Sequence, residues 1–222
     1  MRKLLVLTAV AMLAAAPAKA SSFDYSSYSV TNQQNISFTS PVAETGGAGM
    51  ITLVGTGPQA GIDITAWCVD LFDFLQTSSV YNIVPLTTAG SGGLNPALTP
   101  AQIGEIGSLM IHGAADVPVD PDFNASAAFQ LAIWSIEYPT NLIDNASGPL
   151  ATLVTALVAR VETGDWQCPT CTVDLLDAPV GNQVLAFGVS PTPLPGAVWL
   201  FGTGLFGLGM LGRRKKRAVS VI

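Results

Sequence analysis

Two apolar segments, each bordered by basic residues, bracket this chain and leave residues 21 to 190 as the part that must fold. At the start, Arg2 and Lys3 precede the apolar run Leu4 to Ala16, and Ala18-Lys19-Ala20 forms a small-x-small cleavage signature ahead of Ser21. Residues 1–20 therefore read as a secretory signal peptide; the apolar run falls short of the ~20 residues that a membrane anchor needs. At the other end, residues 191–222 hold a proline-rich stretch with Pro193, Leu194 and Pro195, the charge-free run Gly196 to Gly212, and the cluster Arg213-Arg-Lys-Lys-Arg217. Seventeen residues is the short limit for a transmembrane helix, and the basic cluster beyond it belongs on the cytoplasmic side. The body between the two ends is then exported.

Charge narrows the function. Of nine basic residues only Arg160 lies within residues 21 to 190, against all fifteen acids, a net charge of −14. Phosphate backbones require clustered Lys and Arg, so a nucleic-acid partner is excluded. The body contains no lysine at all. With 49% hydrophobic and 11% charged residues, the chain is not disordered, and its length allows one good core or two small ones.

The C-terminal segment Pro193-Leu-Pro195-Gly-Ala-Val-Trp199-Leu-Phe-Gly-Thr-Gly204, followed by the basic cluster, resembles the PEP-CTERM sorting tail in its proline-leucine-proline variant. Six glycines between Gly196 and Gly212 make a weak helix, as a segment meant for removal would be. The resemblance implies a Gram-negative bacterium that makes extracellular polysaccharide. It also implies an exosortase that reads the proline motif, transient membrane anchoring, and release of the body to the cell surface or extracellular matrix.

Within the body, strand patterns cover Tyr28 to Thr39, Met50 to Gly55, Ile62 to Leu75 and Val80 to Leu86. Helix signals follow: one capped at Thr99-Pro100 and running to about Ile111, one from Asn124 to Tyr138, and one from Leu150 to Val161. Strand character returns at Cys171 to Leu176 and Gln183 to Val189. The expected class is α+β, a β-rich portion with a packed or inserted helical cluster, plus the C-terminal transmembrane sorting helix.

Export places the cysteines in an oxidising compartment. Cys168-Pro-Thr-Cys171 can close as a short disulfide, and the strand that follows argues for a staple over a redox motif. Cys68, within Ala66-Trp67-Cys68-Val69-Asp70, is left over and is either a small buried hydrophobe or a reactive group. Gln130 is a second oddity: in the helix Ala127-Ala-Phe-Gln130-Leu-Ala-Ile-Trp134 it shares a face with Ala127, Ile133 and Trp134. An amide there must find a partner, whether backbone or something sharper. Condensation of Cys68 with Gln130 into an internal thioester, with loss of ammonia, would explain both.

An aromatic-Cys-x-Asp strand followed by a Gln-x-Ala-Ile-Trp helix resembles the thioester domains of bacterial surface adhesins. The resemblance implies that Cys68 and Gln130 form the bond, with Trp67 and Trp134 in the supporting motifs. It implies a covalent link to a surface protein or glycan that bears an amine or hydroxyl, made once and without turnover or cofactor. The aromatic neighbours Trp67, Phe72, Phe129 and Trp134 are expected to keep water from the bond.

Other sites compete. Cys68, Cys168 and Cys171 with the sole histidine, His112, could compose a zinc site, but the compartment and the missing paired spacing weigh against it. His112 follows the first helix and reads as a surface or cap residue; no Gly-x-Ser-x-Gly elbow supports a hydrolase. Asp116, Asp120, Asp122 and Asn124 have calcium-like spacing, yet capping by Asn124 or Ser126 accounts for them more simply. If Cys68 is only a core thiol, the alternative is a noncovalent structural or polysaccharide-associated matrix protein, with Tyr25, Tyr28 and Tyr81 stacking on sugar rings.

Overall fold

The computed structural model describes residues 22–40, 43–86, 98–114, 124–138, 146–168, 171–177 and 181–191. The signal peptide, the sorting residues Pro193, Leu194 and Pro195, the apolar C-terminal run, and Asp116, Asp120 and Asp122 lie outside these residues. Among the described residues, no helix is long and apolar enough to cross a membrane.

Among the described residues there are six strands: β1 (Ser22–Phe38), β2 (Glu44–Gly55), β3 (Asp63–Cys68), β4 (Ser79–Pro85), β5 (Cys171–Asp177) and β6 (Leu185–Pro191). They close into a barrel in the order β1-β2-β3-β6-β5-β4. Among the described residues, the helices α1 (Pro100–Gly113), α2 (Asn124–Glu137) and α3 (Gly148–Glu162) fall between β4 and β5 in the chain. The mixed class and the inserted helical cluster match the expectation from sequence. Closure of the sheet does not follow from any local pattern, because it needs β6 to pair with β3, more than 110 residues earlier in the chain.

Several boundaries differ from the sequence reading: β1 begins at Ser22 and not Tyr28, and β2 at Glu44 and not Met50, because the two pair along nearly their whole length as one long hairpin. The strand expected over Ile62 to Leu75 stops at Cys68. There the Asp70 carboxylate accepts the Phe72 N–H at 2.8 Å, a side-chain turn that draws the backbone out of the sheet. Helix α1 runs past Ile111 to Gly113, so His112 lies in its last turn, stacked 5.9 Å from Trp166. At Gly113 a Cβ would come within 2.9 Å of the Phe129 ring, so only glycine permits this approach of α1 to α2.

The start of α1 is set by a capping box: Thr99 Oγ1 accepts the Gln102 N–H, and Gln102 Oε1 accepts the Thr99 N–H. Gln102 Nε2 then donates to the carbonyls of Ile136 and Glu137, tying the start of α1 to the end of α2.

Helix α2 is buried nearly all round, from Ser126 through Trp134 and again at Ile136 and Glu137, as befits a helix between two cores. One core gathers Phe23, Ile36, Ile51, Ala66 and Cys68 with Ala127, Leu131 and Trp134. The other gathers Trp67, Val69, Ile106, Leu109, Val173 and Leu175 with Phe129, Ile133 and Ile136. Strand alternation explains the split at β3, since Ala66 and Cys68 face one core while Trp67 faces the other. Ser126 is not a cap: its hydroxyl accepts the Met50 N–H at 2.8 Å and donates to the Thr31 carbonyl at 3.1 Å, pinning α2 to β1 and β2.

Candidate functional site

Strand β3 delivers Cys68 at its last residue, and α2 delivers Gln130 in its middle turn. The two are 62 residues apart in sequence and buried against each other. Gln130 Oε1 accepts the Cys68 N–H at 2.8 Å, and Gln130 Nε2 donates to the Cys68 carbonyl at 2.7 Å. The side-chain amide thus completes the strand's backbone pairing where β3 leaves the sheet. The thiol donates to the Asp70 carbonyl at 2.7 Å and accepts the Asp70 N–H at 3.4 Å.

Burial pushes the Cys68 thiol well above its ordinary range, outweighing the hydrogen bonding to Asp70 that favours the thiolate. Glu137 and Asp70, if ionised, would push it further in the same direction. The Trp134 indole N–H is near enough to the sulfur to favour the thiolate, yet it makes no hydrogen bond of its own. Trp134 packs edge-on to Phe38 at 5.1 Å, closing the apolar side of the site.

A cavity of about 280 Å³ reaches Cys68, with Trp134, Phe38 and Leu71 in its walls and Glu44, Asp73 and Phe74 among its lining. A small nucleophile has room there, and the lining carboxylates give the approach a negative character.

Of the sequence-derived site residues, Cys68, Gln130 and Trp134 come together. Trp67 does not face the thiol: it packs on Phe129 at 4.5 Å in the other core. Phe129 follows it there, and Phe72 is 41% exposed, so only Trp134 of the four expected aromatics shields the sulfur directly. Cys168 and Cys171 are joined as a disulfide, which leaves Cys68 as the free, buried cysteine. That pairing removes the ligands of a Cys₃His zinc site, and no metal-binding cluster occurs among the described residues. Tyr25 and Tyr81 cannot stack on sugars: both are buried, ring on ring at 5.4 Å, and only Tyr28 of the three is exposed.

Sequence reasoning passed over two buried acids beside the pair. Asp70 and Glu137 are each fully buried; Asp70 Oδ1 accepts the Phe72 N–H, and the Tyr138 hydroxyl favours the ionised form of Glu137 by less than burial opposes it. The available signal was spacing, since Glu137 sits seven residues after Gln130 on the same helix face.

No family model and no curated protein matches the chain. Among solved structures it is similar to the N-terminal thioester domain of a surface protein from Clostridium perfringens, at 10% identity and a TM-score of 0.44, over 63% of this chain and 89% of that one.

Proposed function

We propose that this chain is an exported cell-surface or extracellular-matrix protein that links itself covalently to a partner through a Cys68–Gln130 thioester. The observation that carries the reading is the pairing of the buried Gln130 amide with the backbone of Cys68, the residue that bears the free buried thiol, the two being brought together by β3 and α2 from distant parts of the sequence. In bond formation Cys68 Sγ attacks Gln130 Cδ, the C–N bond breaks, and ammonia leaves with the thiol proton. The Cys68 N–H already donates to Gln130 Oε1, so it is placed to stabilise the oxyanion that develops on that atom.

A partner amine or hydroxyl then attacks the same carbon and the C–S bond breaks. The thiol is regenerated, and the partner stays joined to residue 130 by an amide or ester. Each chain reacts once, which makes it a covalent binder and not a turnover enzyme. The missing lysine in residues 21 to 190 spares the bond from self-attack. Partners are a surface protein or glycan with an amine or hydroxyl, and, through the PEP-CTERM-like tail, an exosortase during transient membrane anchoring. No cofactor takes part.

A second reading has its own support. Both polar atoms of the Gln130 amide are satisfied by the Cys68 backbone, so the pair also works as a noncovalent lock in a matrix protein. Intact mass of the exported protein, kept from reductants and amines, separates the two. A loss of one ammonia beyond the two hydrogens of the disulfide supports the thioester; an undiminished mass with residue 130 still glutamine supports the lock.

A further inference from the structure

A second cavity, of about 180 Å³, opens among the three helices, and neither Cys68 nor Gln130 lines it. Small side chains leave the room for it: Gly113 of α1, Ala128 of α2 and Ala156 of α3 stand in its wall. Trp166 and Leu153, the latter 38% exposed, line it as well, and Arg160 is the one charged residue among its walls.

Residues 21 to 190 hold two side chains able to carry positive charge, His112 and Arg160. Both converge on Trp166: His112 stacks on its ring at 5.9 Å, and the Arg160 guanidinium lies over it at 5.0 Å. The last turns of α1 and α3, where the two reside, favour cations, but that preference does not bring both to one ring beside a cavity. Arg160 is exposed in a body of net charge −14, with Glu162 and Asp165 close in sequence. Even so, among the described residues no acid forms an ion pair with it. A guanidinium that rests its face on an aromatic ring keeps its in-plane N–H donors for an oxyanion.

We infer that this cavity binds a small amphipathic carboxylate, its apolar part held among the helices and its carboxylate on Arg160. An apolar cavity of about 150 Å³ holds a benzene ring, so an aryl or short acyl group matches the space. Among the wall side chains only Arg160 and Trp166 carry a polar atom, and a sugar placed there would lose most of its hydrogen bonds. The acidic body repels anions elsewhere, which leaves the surroundings of Arg160 as the place where one is attracted. The site stands apart from the thioester and does not depend on it.

NMR titration of the full exported chain with benzoate, followed at the Trp166 indole N–H, tests the site. Saturable binding with a Kd at or below about 1 mM is expected. Benzamide keeps the ring without the charge, and acetate keeps the charge without the ring; each should bind at least tenfold more weakly. Arg160→Gln removes the cation and Ala156→Leu fills the cavity, both from exposed positions of α3 that the fold tolerates. Each should weaken benzoate at least tenfold, and Arg160→Gln should also erase the advantage of benzoate over benzamide. Benzoate should raise the thermal unfolding midpoint of wild type and leave that of Arg160→Gln unmoved. Lack of saturation at about 10 mM benzoate overturns the site, as does binding that benzamide matches or that both variants leave unchanged.

Discussion

The side-chain amide of Gln130 pairs with the backbone of Cys68 at both its oxygen and its nitrogen, at 2.8 and 2.7 Å, as a neighbouring strand would. A helix side chain thus finishes a sheet. Removing it should cost more than removing the thiol. Gln130→Ala leaves a buried N–H and C=O unpaired and is expected to lower unfolding free energy by about 3 kcal/mol, against about 1 kcal/mol for Cys68→Ala. Urea denaturation checks the ranking, and mass spectrometry of the same two proteins should find neither closed.

Thiol counting gives an independent reading. Under the thioester reading, unreduced wild type, denatured without heating, should titrate with no free thiol, since Cys168 and Cys171 are joined and Cys68 would be acylated. Pre-incubation with methylamine should release one thiol per chain. One thiol before amine treatment would instead match the noncovalent lock.

Stability should fall as pH rises. Glu137 and Asp70 have folded-state pKa values above their unfolded ones, because burial disfavours the charged form. The folded protein therefore holds more protons; its advantage is full below the ordinary carboxylate range and is lost as pH climbs toward the raised values. The urea midpoint is expected to be higher at pH about 5 than at pH about 8, and Glu137→Gln should flatten that slope. A midpoint that rises over this range would contradict the assignment.

Ser126 joins α2 to two strands with one hydroxyl. Ser126→Ala should cost about 1 to 2 kcal/mol, mostly from the unpaired Met50 N–H, by urea denaturation.

Phe74 is 63% exposed and lines the cavity that reaches Cys68. Phe74→Ala should leave stability within about 0.5 kcal/mol of wild type while altering the rate at which bulky amines, but not methylamine, release the Cys68 thiol. Equal effects on both amines would remove Phe74 from partner contact.

Local pattern alone located α2 and the strand that carries Cys68, because apolar periodicity, caps and turn residues act over a few neighbours. It also singled out Cys68 and Gln130, each by a local inconsistency: an odd cysteine, and an amide on an apolar helix face. It missed the turn that ends β3 at Cys68, since that turn is set by the Asp70 side chain against β-favouring residues on either side. It placed Trp67 beside the thiol because adjacency in sequence looks like adjacency in space, while strand alternation sends the two side chains to opposite cores.

What the sequence determined by itself was the order of the described elements, the near absence of bases in the body, and the two residues that needed an explanation. Tertiary structure decided that β6 returns to β3 to close the barrel, that α2 lies between two cores, and that Asp70 and Glu137 are buried. The physical reason is range. Periodicity and capping are settled by contacts along a few residues of chain, whereas closure, burial and the meeting of Cys68 with Gln130 across 62 residues depend on how whole elements pack.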